Sequence, residues 1–180
     1  MVTFSGCYTA LITPMNSNRQ VDYEGLGRLV DFQIQEGVKG ILAVGTTGES
    51  PTLDWNEHSK VIEKIHEYSS NRCLTIAGTG SNSTQEAIEG TEHAQNAGIK
   101  CVLLVDPYYN GPSSMEIRRE YVEPIAHQFP EVQVIPYIIP GRTGTQLYPQ
   151  DLAILHQQYP NVRCVKEATG DLLGTWRAHF

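Results

Sequence analysis

Residues 40–49 read Gly40-Ile-Leu-Ala-Val-Gly-Thr-Thr-Gly-Glu49, a short apolar run that leads directly into a polar, glycine-rich loop. Such a run is typical of a strand that is buried on both faces, as strands of parallel sheets are. Runs of this kind recur at intervals of about 30 residues, which indicates a repeated structural unit. They lie near Gly6–Ile12, Gly40–Val44, Leu74–Ala77, Cys101–Val105, Val132–Tyr137 and Val162–Val165.

The segments between these runs carry the signals of helices. Asp22 stands where it can cap a first helix, and Gly37 follows the point where that helix should end. Three later segments have the spacing of a capping box, in which a Ser or Asp is followed three residues later by a Glu. These pairs are Asp54 with Glu57, Ser83 with Glu86, and Ser113 with Glu116.

The helix predicted after Ser113 contains a proline. Its apolar residues recur at steps of four, and Pro124 lies among them, where a kink is expected because proline lacks the N–H group of a helical hydrogen bond. The residues of this apolar face are Ile117, Tyr121, Ile125 and Phe129.

Alternating strands and helices predict an α/β fold, either a doubly wound sheet or a (β/α)8 barrel (TIM barrel). Both architectures place function beyond the carboxyl ends of the strands. The loops at these positions are polar and rich in glycine and hydroxyl groups. They are Gly45–Glu49, Gly78–Asn82, Asp106–Asn110, Tyr137–Gly144 and Lys166–Gly170.

Composition excludes several functions. The 180 residues are 40% hydrophobic, and 13 Lys and Arg against 20 Asp and Glu give a net charge of −7, which argues against nucleic acid or an anionic membrane as partner. No apolar run approaches the ~20 residues of a membrane span, and we expect a cytoplasmic protein. The four cysteines form no CxxC pair and are expected to be reduced core residues. The histidines form no HExxH motif, so no metal site is expected.

Lys166 is the only one of five lysines that is predicted to lie at the carboxyl end of a strand. Burial at such a position lowers the pKa of an amine and allows it to attack a carbonyl carbon. A buried ion pair with Glu167 is the alternative.

Hydroxyl and cationic groups surround this candidate in the predicted loops. Tyr137 ends the preceding strand and can relay protons with the hydroxyl groups of other residues, for which Thr46, Thr47 and Tyr109 are available. The Gly45–Gly48 segment offers backbone N–H groups to a carboxylate, or is simply a tight turn. Arg142 matches a second carboxylate, or forms a surface ion pair.

Four strings of the sequence resemble the motifs of the family of Schiff-base pyruvate aldolases that contains dihydrodipicolinate synthase and N-acetylneuraminate lyase. The resemblance extends in order to about Leu172 and implies a (β/α)8 barrel. The strings are Gly45–Glu49, Asp106–Asn110, Tyr137–Gly144 and Val165–Gly170.

The resemblance implies a role for each matching residue. Lys166 would form an imine with pyruvate, without any cofactor. Tyr137 would shuttle protons with Thr47 and Tyr109, and Tyr109 would reach the site of an adjacent subunit in a homodimer or homotetramer. Thr46, Thr47 and Gly48 would hold the carboxylate of pyruvate. Arg142 would bind the carboxylate of aspartate 4-semialdehyde, and the product would be 4-hydroxy-tetrahydrodipicolinate, in lysine and diaminopimelate biosynthesis.

The resemblance also implies a regulatory site for lysine at a subunit interface. The residues that match it are Ser50, Trp55, His58, Asn82, Glu86 and Tyr108.

Compared with the family pattern, residues 1–180 form a single, partial barrel domain that is truncated after about the sixth strand, without the last two strands and the helical tail. We therefore expect these residues alone to associate through the open edge and to have negligible synthase activity. Alternatives are a related 2-oxo-acid aldolase such as an N-acetylneuraminate lyase, and a non-catalytic truncated fragment. A dinucleotide-binding protein is disfavoured because Gly78-Thr-Gly-Ser-Asn-Ser83 lacks the third glycine of its motif.

Overall fold

The computed structural model describes residues 4–177, with the backbone alone for residues 176 and 177. Strands and helices alternate along this part of the chain, as the apolar runs predict. The strands are β1 (Tyr8–Ala10), β2 (Gly40–Ala43), β3 (Leu74–Gly78), β4 (Cys101–Val105), β5 (Gln133–Ile138) and β6 (Lys166–Glu167). The helices are α1 (Tyr23–Gln35), α2 (Trp55–Ser69), α3 (Thr84–Asn96), α4 (Ser114–Glu116), α5 (Glu123–Gln128), α6 (Pro140–Thr143), α7 (Pro149–Gln158) and α8 (Leu172–Arg177).

The described residues fall into two compact units. We call residues 4–78 with 93–101 the N-terminal unit, and residues 79–92 with 102–177 the C-terminal unit. The single catalytic domain expected over residues 1–180 stays a prediction.

In the N-terminal unit, β1, β2 and β3 are parallel and lie side by side in chain order. Ile41 at the centre of β2 is fully buried, and so are Leu26 of α1 and Ile62 and Ile65 of α2, at 2% exposure or less. The apolar faces of these helices therefore form a core with the sheet, and the polar strand ends remain available for chemistry.

The ends of α1 and α2 follow the predicted signals. The Asp22 carboxylate accepts a hydrogen bond of 2.9 Å from the Gly25 N–H, and Asp54 accepts one of the same length from Glu57. Gly37 has a φ of +85°, a conformation that favours glycine after a helix end.

In the C-terminal unit, β5 and β6 are parallel, with Tyr137 opposite Lys166 and Ile138 opposite Glu167. The sixth strand therefore begins at Lys166, and the prediction of a strand at Val162–Val165 is wrong. The start of β5 already bonds to Asn161, whose carbonyl accepts from both the Val134 N–H and the Gln133 side chain. The ladder between β5 and β6 therefore forms only at Lys166 and Glu167.

The segment after Ser113 combines three helical forms. Ser113 and Glu116 form the predicted reciprocal capping box, after which a π-helical stretch over residues 117–122 joins α4 to α5. Pro124 cannot donate to the carbonyl of Glu120, four residues earlier, and that carbonyl instead accepts from the Thr84 hydroxyl at 2.8 Å. The wider turn of the π-helical stretch directly precedes Pro124, the position where the kink is expected.

Two other predictions need correction. At Ser83 the cap is one-sided, because the Glu86 carboxylate accepts from the Ser81 hydroxyl instead of the Ser83 backbone. Of the four cysteines expected in the core, Cys101 alone is buried, Cys73 and Cys164 are half-buried, and Cys7, before β1, is exposed. Among the helices that the structure describes, none combines the length and the apolar content that a membrane crossing needs.

Candidate active site

Lys166 and Tyr137 lie side by side, Tyr137 one residue before the end of β5 and Lys166 as the first residue of the short strand β6, so Lys166 does not end a strand as predicted. The two residues are directly opposite in the β5–β6 register, and paired residues of parallel strands share a face of the sheet. The Lys166 Nζ lies 3.9 Å from the centroid of the Tyr137 ring. Tyr137 is buried and Lys166 is half-buried. The Lys166 amine, which is predicted to attack a carbonyl, therefore lies against the Tyr137 ring in a partly desolvated environment.

The surroundings of Lys166 disfavour its charged form relative to a lysine in water. Burial lowers the pKa of the amine, because a charged group loses hydration when it is buried. The Glu167 carboxylate accepts instead from the backbone N–H of Thr169 and the hydroxyl of Thr175. Lys166 forms no ion pair with any carboxylate of residues 4–177. The alternative of a Lys166–Glu167 ion pair is therefore not what the structure contains.

Arg142 is exposed on α6, the short helix that follows β5. Its backbone N–H donates to the carbonyl of Ile139 at 2.9 Å. Its guanidinium forms no ion pair within the described part of the chain, so its paired N–H donors are available to a carboxylate. The expected surface ion pair is not present there.

Tyr108 and Tyr109 follow β4 in a strained loop. Tyr109 has a φ of +74°, and its side chain is 91% exposed. Tyr108 is half-buried, and its carbonyl accepts from the Asn110 N–H at 3.0 Å. An aromatic side chain held outward in a conformation that L-residues disfavour is unusual and points to a contact beyond its own unit's core.

In the N-terminal unit, residues 46–48 form a 3-10 turn directly after β2. Gly48 is buried, and its carbonyl accepts from the Thr13 hydroxyl at 2.8 Å. A Cβ at Gly48 would lie 3.0 Å from the Leu11 carbonyl oxygen, a tight contact that favours glycine in this turn. Thr46 is half-buried and Thr47 is exposed. The first N–H groups of such a turn have no partner within it, as the binding of a carboxylate requires.

Three of the proposed regulatory residues lie in the N-terminal unit. Ser50 begins a second 3-10 turn, and the rings of Trp55 and His58 are 4.8 Å apart on α2. His58 is buried, and its Nε2 donates to the Gly78 carbonyl at 2.7 Å. Burial lowers the pKa of His58, so this imidazole is neutral and acts as a structural donor.

The other three regulatory residues, Asn82, Glu86 and Tyr108, lie in the C-terminal unit. Asn82 is exposed in the loop before α3. The Glu86 carboxylate in the first turn of α3 accepts from the Ser81 hydroxyl at 2.6 Å. That contact leaves carboxylate oxygen capacity for a further donor.

The loop after β4 contains a buried carboxyl group to which the sequence analysis assigned no role. Asp106 is 1% exposed, and its Oδ2 accepts from the Leu147 N–H at 3.0 Å, while its Oδ1 has no hydrogen-bond partner. Burial raises the pKa of Asp106 to about 7. An acidic residue directly after an apolar strand was the available signal.

No group of three or more His, Cys, Asp or Glu side chains within residues 4–177 is arranged to hold a metal ion.

Comparison with known proteins identifies close relatives of this chain. A family model described as the dihydrodipicolinate synthetase family matches residues 3–178. A 4-hydroxy-tetrahydrodipicolinate synthase of Methanococcus maripaludis (strain S2) is 46% identical over 167 residues, which are 93% of this chain and 57% of that protein. The chain therefore spans just over half the length of this curated relative.

Solved structures extend the similarity to the fold. A chloride-inhibited dihydrodipicolinate synthase from Acinetobacter baumannii, complexed with pyruvate, matches 96% of this chain and 58% of its own, at 41% identity and a TM-score of 0.91. The enzyme from Cyanidioschyzon merolae with lysine bound matches 95% of this chain and 58% of its own, at 36% identity and a TM-score of 0.92. The predicted fold class, a (β/α)8 barrel up to about the sixth strand, is confirmed.

Proposed function

The chain belongs to the dihydrodipicolinate synthetase family, and we propose that a full-length form carrying these residues condenses pyruvate with aspartate 4-semialdehyde through an imine on Lys166. The observation that carries this proposal is the pairing of Lys166 with Tyr137, with the amine 3.9 Å from the ring centroid and without a carboxylate partner among the described residues. The solved relative with pyruvate supports the first substrate.

The proposed reaction begins with attack of the neutral Lys166 amine on the keto carbon of pyruvate. The carbinolamine loses water to give an imine, and Tyr137 is placed to transfer the protons of this step. Loss of a methyl proton gives an enamine, which attacks the aldehyde carbon of the semialdehyde. The substrate amine then displaces Lys166 as the ring closes. These steps use groups of the chain and the two substrates, and we expect no cofactor.

Two groups are proposed to bind the substrate carboxylates. Thr46, Thr47 and Gly48 resemble the residues that hold pyruvate. The first N–H groups of such a turn lack partners within it, whereas the Gly48 N–H donates to the Gly45 carbonyl at 3.0 Å. Arg142 is proposed to bind the semialdehyde, because a guanidinium pairs with a compact carboxylate through two parallel hydrogen bonds. The presence of Arg142 therefore favours aspartate 4-semialdehyde as the acceptor substrate over the sugar aldehyde that an N-acetylneuraminate lyase uses.

The decisive experiment is to trap the imine. Incubation with pyruvate and borohydride, followed by peptide mapping, should label Lys166 and leave Lys39, Lys60, Lys64 and Lys100 unlabelled. The Lys166→Arg variant should take no label. Labelling of any other lysine in the wild type would refute the assignment.

Arg142→Ala tests the second substrate. Because Arg142 is assigned only to the acceptor, the variant should form the imine as the wild type does but lose about 100-fold in condensation, since a charged bidentate contact is worth 1.5–3 kcal/mol. Equal loss of imine trapping would contradict this role, and wild-type turnover of N-acetylmannosamine would favour the lyase.

We also propose that lysine is an effector and that the protein is a cytoplasmic homodimer or homotetramer. The solved relative with lysine bound supports the effector, and the exposed Tyr109 supports an intersubunit contact. Calorimetry should detect lysine binding that Glu86→Gln weakens, and light scattering should give at least twice the monomer mass. Absence of lysine binding, or a monomer, would refute the respective proposal.

A further inference from the structure

Asp106 holds together two segments of the C-terminal unit that carry proposed site residues. Its Oδ2 accepts from the Leu147 N–H at 3.0 Å, across 41 residues of sequence. Leu147 lies near the end of the segment 139–148, which includes Arg142, while Asp106 begins the segment that continues into Tyr108 and Tyr109. A buried carboxyl group thus joins the loop after β4 to the loop after β5.

The Asp106 side chain does not itself enter the reaction. Its backbone N–H donates to the Tyr137 carbonyl at 3.0 Å. In this sheet the residue that donates to a carbonyl lies opposite the next residue along, as Ala168 does when it donates to Ile138, whose partner is Glu167. Asp106 therefore lies opposite Ile138, on the other face from the Tyr137 side chain, because side chains alternate along a strand.

A second contact reinforces this junction. The Thr145 hydroxyl donates to the carbonyl of Pro107 at 2.8 Å, and the Thr143 hydroxyl lies 3.0 Å from the Thr145 carbonyl. The backbone N–H groups of Thr143 and Arg142 both donate to the carbonyl of Ile139. Hydrogen bonds therefore run from Pro107 through Thr145 to Thr143, the residue after Arg142, while Asp106 adjoins this series through its peptide bond to Pro107 and its own contact with Leu147.

We propose that Asp106 is a positioning residue, which fixes the place of Arg142 by anchoring the segment 139–148 through Leu147. The inference rests on the proposed role of Arg142 in binding the semialdehyde carboxylate.

The cost of Asp106 supports a functional reason for it. A buried carboxyl oxygen without a partner is unfavourable, and native proteins contain few of them. Burial raises the pKa of this group to about 7. A residue that cannot ionise would cost less free energy to bury here, whereas a carboxyl group supplies the strong acceptor that the Leu147 N–H needs.

The test measures amide hydrogen exchange by NMR in the full chain. Asp106→Ala should exchange the amides of Arg142, Thr143 and Leu147 about ten-fold faster than the wild type, as loss of one buried hydrogen bond predicts. Asp106→Asn retains a carbonyl oxygen and should restore these rates to within about two-fold of the wild type. Thr91→Val, which removes the buried contact of 3.1 Å to Thr79 in the same unit, should leave them unchanged.

The proposal is overturned if Asp106→Ala leaves the three rates unchanged, if it accelerates Leu147 alone, or if Asp106→Asn behaves like Asp106→Ala. Borohydride trapping of pyruvate in the same samples should label Lys166 equally in all variants. If even the wild type takes no label, the proposed function fails, while the exchange rates still decide the role of Asp106.

Discussion

At the scale of single residues, desolvation determines the chemistry of this molecule. Burial moves the pKa of Lys166 down and that of Asp106 up, because it disfavours the charged form of each group. For the lysine this shift supports its proposed role as a nucleophile. For the aspartate it creates a dependence of stability on pH, because the unfolded chain exposes the same group to water.

Asp106→Asn should reveal this dependence. The Asp106 pKa rises from 3.8 to about 7 on folding, so the folded state holds a proton that the unfolded state has released, and stability falls as pH rises from about 4 to 7. Asparagine does not ionise in this range, so the Asp106→Asn variant does not lose stability in this way as the pH rises. At pH 8 the variant should be more stable than the wild type by up to about 4 kcal/mol, and at pH 4 the difference should nearly vanish.

Urea unfolding at the two pH values measures the difference. The exposed Asp31 provides the control, since Asp31→Asn should change stability by less than about 1 kcal/mol at either pH. A gain for Asp106→Asn that is equal at pH 4 and pH 8 would contradict the expected ionisation.

At the scale of helices and strands, side-chain hydrogen bonds decide where elements begin. The spacing of Ser and Glu predicts a capping box at both Ser83 and Ser113, yet the structure forms the reciprocal box only at Ser113. Ser81 explains the difference, because its hydroxyl takes the Glu86 carboxylate. Spacing within a helix cannot reveal a competing donor just before it.

Ser113→Ala should therefore destabilise the protein by about 1 kcal/mol, the usual cost of losing a helix cap. Ser83→Ala, whose hydroxyl lies 3.4 Å from the Glu86 nitrogen, should cost clearly less. Urea unfolding of the two variants under one condition gives the comparison, and equal costs would show that the reciprocal contact adds nothing.

At the scale of the whole molecule, the order of strands and helices was predictable because it depends on repeated apolar runs, which a single sequence displays. The proximity of Tyr137 and Lys166 was predictable too, since both lie where an apolar run passes into a polar loop, although Lys166 begins β6 and does not end it. The start of β6 was not, because Asn161 pairs with β5 through contacts 28 residues distant in sequence. The proposed role of Asp106 was not predictable either, because its hydrogen bond with Leu147 spans 41 residues of sequence and is visible only in the structure.

The net charge of −7 also belongs to the whole molecule. We expect no saturable binding to duplex DNA near physiological salt, because repulsion from the phosphates outweighs scattered local contacts. Fluorescence anisotropy with a labelled duplex measures this. Binding that weakens steeply with added salt would reveal a basic surface that the composition conceals.

The π-helical stretch before Pro124 keeps an apolar stripe in phase. Residues four apart on an ordinary α-helix drift by about 40° at each step, so Ile117, Tyr121, Ile125 and Phe129 would spiral away from the core by a third of a turn. A wider turn holds more residues and rotates the later ones back, and all four side chains are in fact at most 3% exposed. An apolar spacing of four residues therefore fits the wider π-helical turn better than it fits a regular α-helix. Deleting one residue between 117 and 122 would restore a regular helix only by turning either Ile117 or Phe129 toward water.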